Sequence, residues 1–134
     1  MNNEMLKKIE AEVIKNVKNG TTYDMSVHHI YHHLSEGNDI DKYELVYKGK
    51  SIVTVAKQNN QHNEIIELRL SINDKQIDDV DNHTILDVFK ALEGIYIKQD
   101  KEINKRIKIA KSKQNAETIF NMIGRQIFGE SKQK

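Results

Sequence analysis

Three observations on this 134-residue sequence predict an α+β fold. Apolar residues recur at helical spacing near the start, the period changes to two from about residue 42, and the helical period returns at Thr84. The architecture that follows is a small antiparallel β-meander of three to four strands. It is flanked by N-terminal helices and by a long or broken C-terminal helical segment. The length fits a single domain over residues 1–134.

Met5, Leu6, Ile9, Val13 and Val17 form the first amphipathic stripe, and Asn19-Gly20 supplies a stop, which predicts a helix over about 3–18. In SVHHIYHHL, residues 26–34, Val27, Ile30, Tyr31 and Leu34 make a second stripe. With Asp24 or Ser26 as a cap and Gly37 as a stop, the spacing predicts a helix over about 25–35. His28 with His32 and His29 with His33 would then be two i, i+4 pairs on its polar side.

Tyr43, Leu45 and Tyr47 alternate with Glu44 and Val46, which predicts a strand over 43–47. Lys48-Gly49 reads as a tight turn into the β-branched SIVTVAK, a strand over 51–57. After the polar loop QNNQHN, Ile66, Leu68, Leu70 and Ile72 alternate with Glu67, Arg69 and Ser71 in a strand over 64–72. Asn73-Asp74 is a turn dipeptide leading to a short fourth strand at 76–80. The short connections make neighbouring strands antiparallel.

From Thr84, Ile85, Val88, Phe89, Leu92, Ile95 and Tyr96 keep helical spacing, continued by Ile103, Ile107, Ala110, Ile119, Phe120, Ile123 and Ile127. A single helix over 84–128 would run about 67 Å. The expectation is a break near Gln99-Asp100 or 112–115, or a projecting helix that pairs with a second copy. Gly94 and Gly124 interrupt this pattern, each at a cost of about 1 kcal/mol relative to Ala. Close helix approach or a kink would account for them.

Composition narrows the chemistry. Hydrophobic residues make up 37% and the mean hydropathy is −0.70, a lean supply of core that favours sharing stability with a partner, commonly a second copy. Formal net charge is +1, so global electrostatics favours neither nucleic acid nor membrane. The absence of Cys excludes disulfides, thiolate metal sites and a Cys nucleophile. No apolar run reaches the roughly 18 residues of a spanning helix, and the N-terminal segment lacks a signal-like apolar stretch; a cytoplasmic location is expected. No phosphate loop, dinucleotide fingerprint or nucleophile elbow is present, and no cofactor is expected.

Three clusters carry chemical interest. His28, His29, His32 and His33 form a candidate interaction surface, since helical His pairs can also share a metal ion but here lack an identifiable third ligand. In IDDVDNH, Asp78, Asp79, Asp81 and His83 combine carboxylates with an imidazole, a set suited to a divalent ion, although acidic residues before a helix also complement its dipole. Lys98, Lys101, Lys105 and Lys108 recur along one helical face, and with Lys111 they are the candidate binding residues within a stretch of seven basic residues against Asp100 and Glu102. Such a stripe suits phosphates or an acidic protein surface. No aromatic residue is interleaved for base stacking.

The leading expectation is a non-catalytic protein–protein interaction or regulatory protein, oligomeric, of the size and Lys/Asn/Ile bias common in phage or mobile-element accessory proteins that inhibit a host factor. One alternative is a nucleic-acid-binding protein using the basic 98–113 helix. The other is a metal-dependent enzyme using His28–His33 or Asp78–His83.

Overall fold

The computed structural model describes residues 3–128, except for the side chains of residues 3, 115–120 and 122–128. The expectations about Ile119, Phe120, Ile123, Gly124 and Ile127 fall on side chains outside the described residues. The element order is α1 (Asn3–Asn19), β1 (Met25–His33), β2 (Asp39–Tyr47), β3 (Lys50–Asn59), β4 (Ile65–Ile72), β5 (Lys75–Gln76) and α2 (Asn82–Phe128). The α+β class with an antiparallel meander holds: the five strands lie in one sheet in chain order, each antiparallel to the next. The chain divides into two compact units, the first ending at Glu102 and the second beginning at Ile103. No helix among the described residues is long and apolar enough to cross a membrane.

The largest correction concerns SVHHIYHHL. The segment is strand β1, paired with β2 from Met25↔Tyr47 to His33↔Asp39, and no helix spans 25–35. Val, Ile, Tyr and His are indifferent helix formers, and the first three favour strands, so a partner strand one hairpin away decides the outcome. Gly37 at φ 82° helps turn that hairpin, with the side chain of Gln61 packed beside it.

The other strands are close to expectation. Lys48 and Gly49, both at positive φ, make the tight β2–β3 turn, and Asn73 and Asp74 make the β4–β5 turn in the same way. The fourth predicted strand shortens to Lys75–Gln76, and the acidic residues that follow lie in irregular chain before α2. Helix α2 runs unbroken through Gln99-Asp100 and through 112–115. Asp81 caps it, accepting the Thr84 N–H at 2.7 Å, which explains why a helix starts there.

The core of the first unit lies between one face of the sheet and the helices. Val27, Tyr43, Leu45, Val55 and Leu70 meet Val13 of α1 and Ile85, Val88, Phe89, Leu92 and Ile95 of α2. On α2 these residues follow the helical period, and on the strands they follow the period of two, so both patterns point at one interior. The inward alternation of β4 is strongest at its centre. Leu70 is buried, whereas Ile66 and Ile72 near the ends stay exposed.

Gly94 does not mark a close approach: a methyl group there would meet nothing within 4 Å. Gly94→Ala is therefore expected to stabilise the protein by about 0.5–1 kcal/mol through helix propensity. Urea unfolding followed by circular dichroism checks this, and an unchanged or lowered midpoint would contradict it.

Candidate functional site

The register of β1 determines where its histidines go. Alternate residues of a strand face opposite sides, so His28 and His32 lie on one face of the sheet and His29 and His33 on the other. The four imidazoles do not form one surface, and the i, i+4 pairs disappear with the helix that defined them.

On the helix-covered side, His29 stacks on Tyr43 with ring centroids 4.6 Å apart, and its Nε2 lies 3.0 Å from Asp41 Oδ1. Tyr96 tilts against both rings, and Phe89 meets Tyr43 edge-on at 5.1 Å. Burial pushes the Tyr43 phenol up to about 12, helped by the negative charges of Glu93 and Asp41, so it stays protonated. The Lys57 ammonium sits over the Phe89 ring at 4.6 Å.

Further along the same side, His33 Nδ1 lies 2.5 Å from Asp39 Oδ1. Hydrogen bonds from His33 and then Tyr31 hold the Asp39 carboxyl below its usual range, and the same contact with Asp39 raises the Tyr31 phenol. These pairs fasten the β1–β2 hairpin, imidazole to carboxylate, across the strands.

On the opposite side, Ser26 Oγ lies 3.1 Å from His28 Nε2. Ser26 is only 3% exposed, so its hydroxyl orients the ring from inside the protein rather than meeting an incoming carbonyl. Beyond His28 the face opens into a groove of about 420 Å³ lined only by strand residues. Ile40 and Ala56 give it apolar ground, Thr54, Gln58 and Ser71 give neutral donors and acceptors, and Lys42, Glu67 and Arg69 give charge of both signs. The charges are largely matched: Arg69 bonds Glu67 at 2.8 Å and Lys42 lies 3.5 Å from Glu44.

The acidic cluster is dispersed among local structural roles. Asp78 accepts from Gln76 at 3.0 Å, Asp81 caps α2, and His83 pairs with Asp87 at 3.3 Å on the helix surface. Among the described residues no group of three or more His, Asp or Glu is placed to hold a metal ion. The lysines of the basic stretch are exposed. Lys98 and Lys101 belong to the first unit, where Lys98 reaches Glu10 of α1 at 2.6 Å, and Lys105, Lys108 and Lys111 belong to the second.

Sequence reasoning missed the role of Gln99, whose neighbourhood reads as one of two candidate break points in the helix. Its buried amide accepts from the Val27 N–H at 2.8 Å and donates to the Val27 carbonyl at 2.9 Å, pinning α2 to the outer edge of β1. The available signal was its place in the stripe of Leu92, Ile95 and Tyr96, where a polar residue implies a buried partner. Comparison of the chain with protein families, with characterised proteins and with solved structures returns no match.

Proposed function

We propose that this chain is a non-catalytic interaction protein that receives a segment of a partner protein in the open face of its sheet. The observation that carries this reading is the groove of about 420 Å³ on that face, lined by all five strands. Its chemistry suits a polypeptide. Small apolar ground, amide and hydroxyl groups, and charges of both signs match mixed side chains, whereas a phosphate backbone calls for a positive excess. His32 lines this groove while His29 and His33 serve the hairpin on the other side, so the proposed contact uses only part of the His cluster.

The test places a photoreactive residue at Thr54, within the groove, and at His83, on the exposed surface of α2, in the full chain expressed in its native cells. A discrete adduct with one protein from Thr54 but not from His83, abolished by Ala56→Arg without loss of folding, is expected. Identical adducts from both positions, or an adduct that survives Ala56→Arg, would overturn the reading.

A second reading rests on the exposed Lys105, Lys108 and Lys111 of the second unit, which suit phosphate contacts whose affinity falls steeply with salt. Replacing all three with Gln should then weaken binding to a duplex and flatten its salt dependence. An unchanged binding curve would remove this alternative.

A further inference from the structure

The outer edge of β1 is occupied at Met25 and Val27, and no hydrogen bond from the described residues meets the backbone of His29, Tyr31 or His33 on that side. Val27 directs both its N–H and its carbonyl away from β2, to Gln99, and the Met25 carbonyl accepts from Asn16 Nδ2 at 3.4 Å on that same outer side. Conversely, the Lys48 N–H donates to the Asp24 carbonyl, and the Leu34 N–H to the Asn38 carbonyl, on the β2 side. Even-numbered residues of β1 therefore bond inward and odd-numbered residues outward, as antiparallel pairing requires. By this alternation His29, Tyr31 and His33 present their backbone donors and acceptors outward, past the point where the helices seal the strand.

We propose that this open stretch pairs with the same stretch of a second copy, antiparallel across a twofold axis at Tyr31. This surface is separate from the groove on the open face, and the inference does not depend on that reading. The geometry selects the occupant. An edge that offers alternating donors and acceptors is self-complementary under a twofold rotation. Centring the axis on Tyr31 sets His29 opposite His33 of the partner subunit and Tyr31 opposite the partner's Tyr31. Each of these odd-numbered facing pairs then exchanges both backbone bonds.

Sliding the register toward Met25 loses a pair because Gln99 already occupies Val27, and sliding it the other way loses one because β1 ends at His33. The side chains agree with this arrangement. The stretch from His29 to His33 contains no Lys, Arg, Pro or bulge, the devices that usually protect an exposed edge. The other edge of the sheet carries Glu67 and Arg69 and is partly covered by β5. Within the twofold pair no two like-charged Lys, Arg, Asp or Glu side chains come face to face, and Ile30 lies opposite the partner's His32.

The experiment uses the full chain, which has no native Cys to interfere. Facing residues in such a bonded pair have Cα atoms about 5.5 Å apart, within the disulfide range of about 4.4–6.8 Å. Under mild oxidation Tyr31→Cys should therefore form a covalent dimer at least about tenfold faster than the surface variant His62→Cys, the ratio expected for a pre-paired edge over random encounter. Sedimentation of wild type should show a monomer–dimer equilibrium. Tyr31→Pro, which removes the central N–H pair and is tolerated at a strand edge, should weaken it about tenfold or more. A Tyr31→Lys variant, which keeps every backbone bond of the monomer, should also weaken the dimer, so a folding defect cannot imitate the result. Equal oxidation rates at the two positions, a strictly monomeric wild type, or a dimer unaffected by both Tyr31 variants would overturn the proposal.

Discussion

Gln99→Leu should cost about 2–3 kcal/mol of folding stability, although leucine is similar in size and more apolar. The glutamine amide satisfies both backbone groups of Val27, and a buried donor or acceptor left without a partner costs about 1–3 kcal/mol. The gain from burying leucine offsets part of that loss. Lys101→Gln, two residues further on at an exposed position, should stay within about 0.5 kcal/mol. Urea unfolding of the two variants separates them. Equal midpoints would mean that Gln99 does not anchor the strand edge.

A comparable effect is expected from Leu92→Ala. Leu92 is fully buried where α2 crosses the sheet, among Tyr43, Leu45, Val55 and Phe89. Truncation there loses the transfer free energy of the side chain and leaves a cavity, together about 2–5 kcal/mol. Domains of this size hold only about 5–15 kcal/mol in all, and this one has a lean core, so the midpoint should fall sharply. Ile97→Ala is the contrast: at 47% exposure on the same helix it should change stability by less than about 1 kcal/mol. If the two substitutions prove equal, the assignment of the buried face of α2 is wrong.

The sequence made β2, β3 and β4 legible because each buries one face, and the alternation of Tyr43 with Glu44, or of Leu70 with Arg69, records that asymmetry directly. Strand β1 lacks this signature. Its covered side carries Val27, His29, Tyr31 and His33, its open side Ser26, His28, Ile30 and His32, so neither reads as plainly apolar. Val27, Ile30, Tyr31 and Leu34 happen to fall at helical spacing, which imitates an amphipathic helix. A weaker local signal pointed the other way: residues 25–33 contain no Ala, Leu, Glu, Lys, Arg or Gln, and only Met25 is a good helix former. The partner strand that settles the matter lies beyond the hairpin, outside any local window.

In the C-terminal helix, the choice between a break and a continuous helix was open for a related reason. A polar Gln99 in an apolar stripe suggests an interruption when the sheet edge it bonds is unknown. The open groove was not legible at all. Lys42, Thr54, Ala56 and Arg69 are unremarkable one by one, and only the register of successive hairpins sets them side by side. The histidines of β1, by contrast, are conspicuous in sequence and divide between the two faces of the sheet, His29 and His33 fastening the hairpin, His32 lining the groove and His28 bonding Ser26.

The groove and the paired edge both require β1 to be a strand in this register, and nuclear Overhauser effects between α-protons test that directly. Residues facing each other in a non-hydrogen-bonded antiparallel pair bring their Cα atoms to about 4.5 Å and their α-protons closer still. Strong cross-strand α-proton contacts are expected between Val27 and Leu45 and between His29 and Tyr43. Strong sequential amide–amide contacts through 25–34, with no α-proton contact to Leu45 or Tyr43, would restore the helix and dissolve the edge, the groove and the hairpin pairs together.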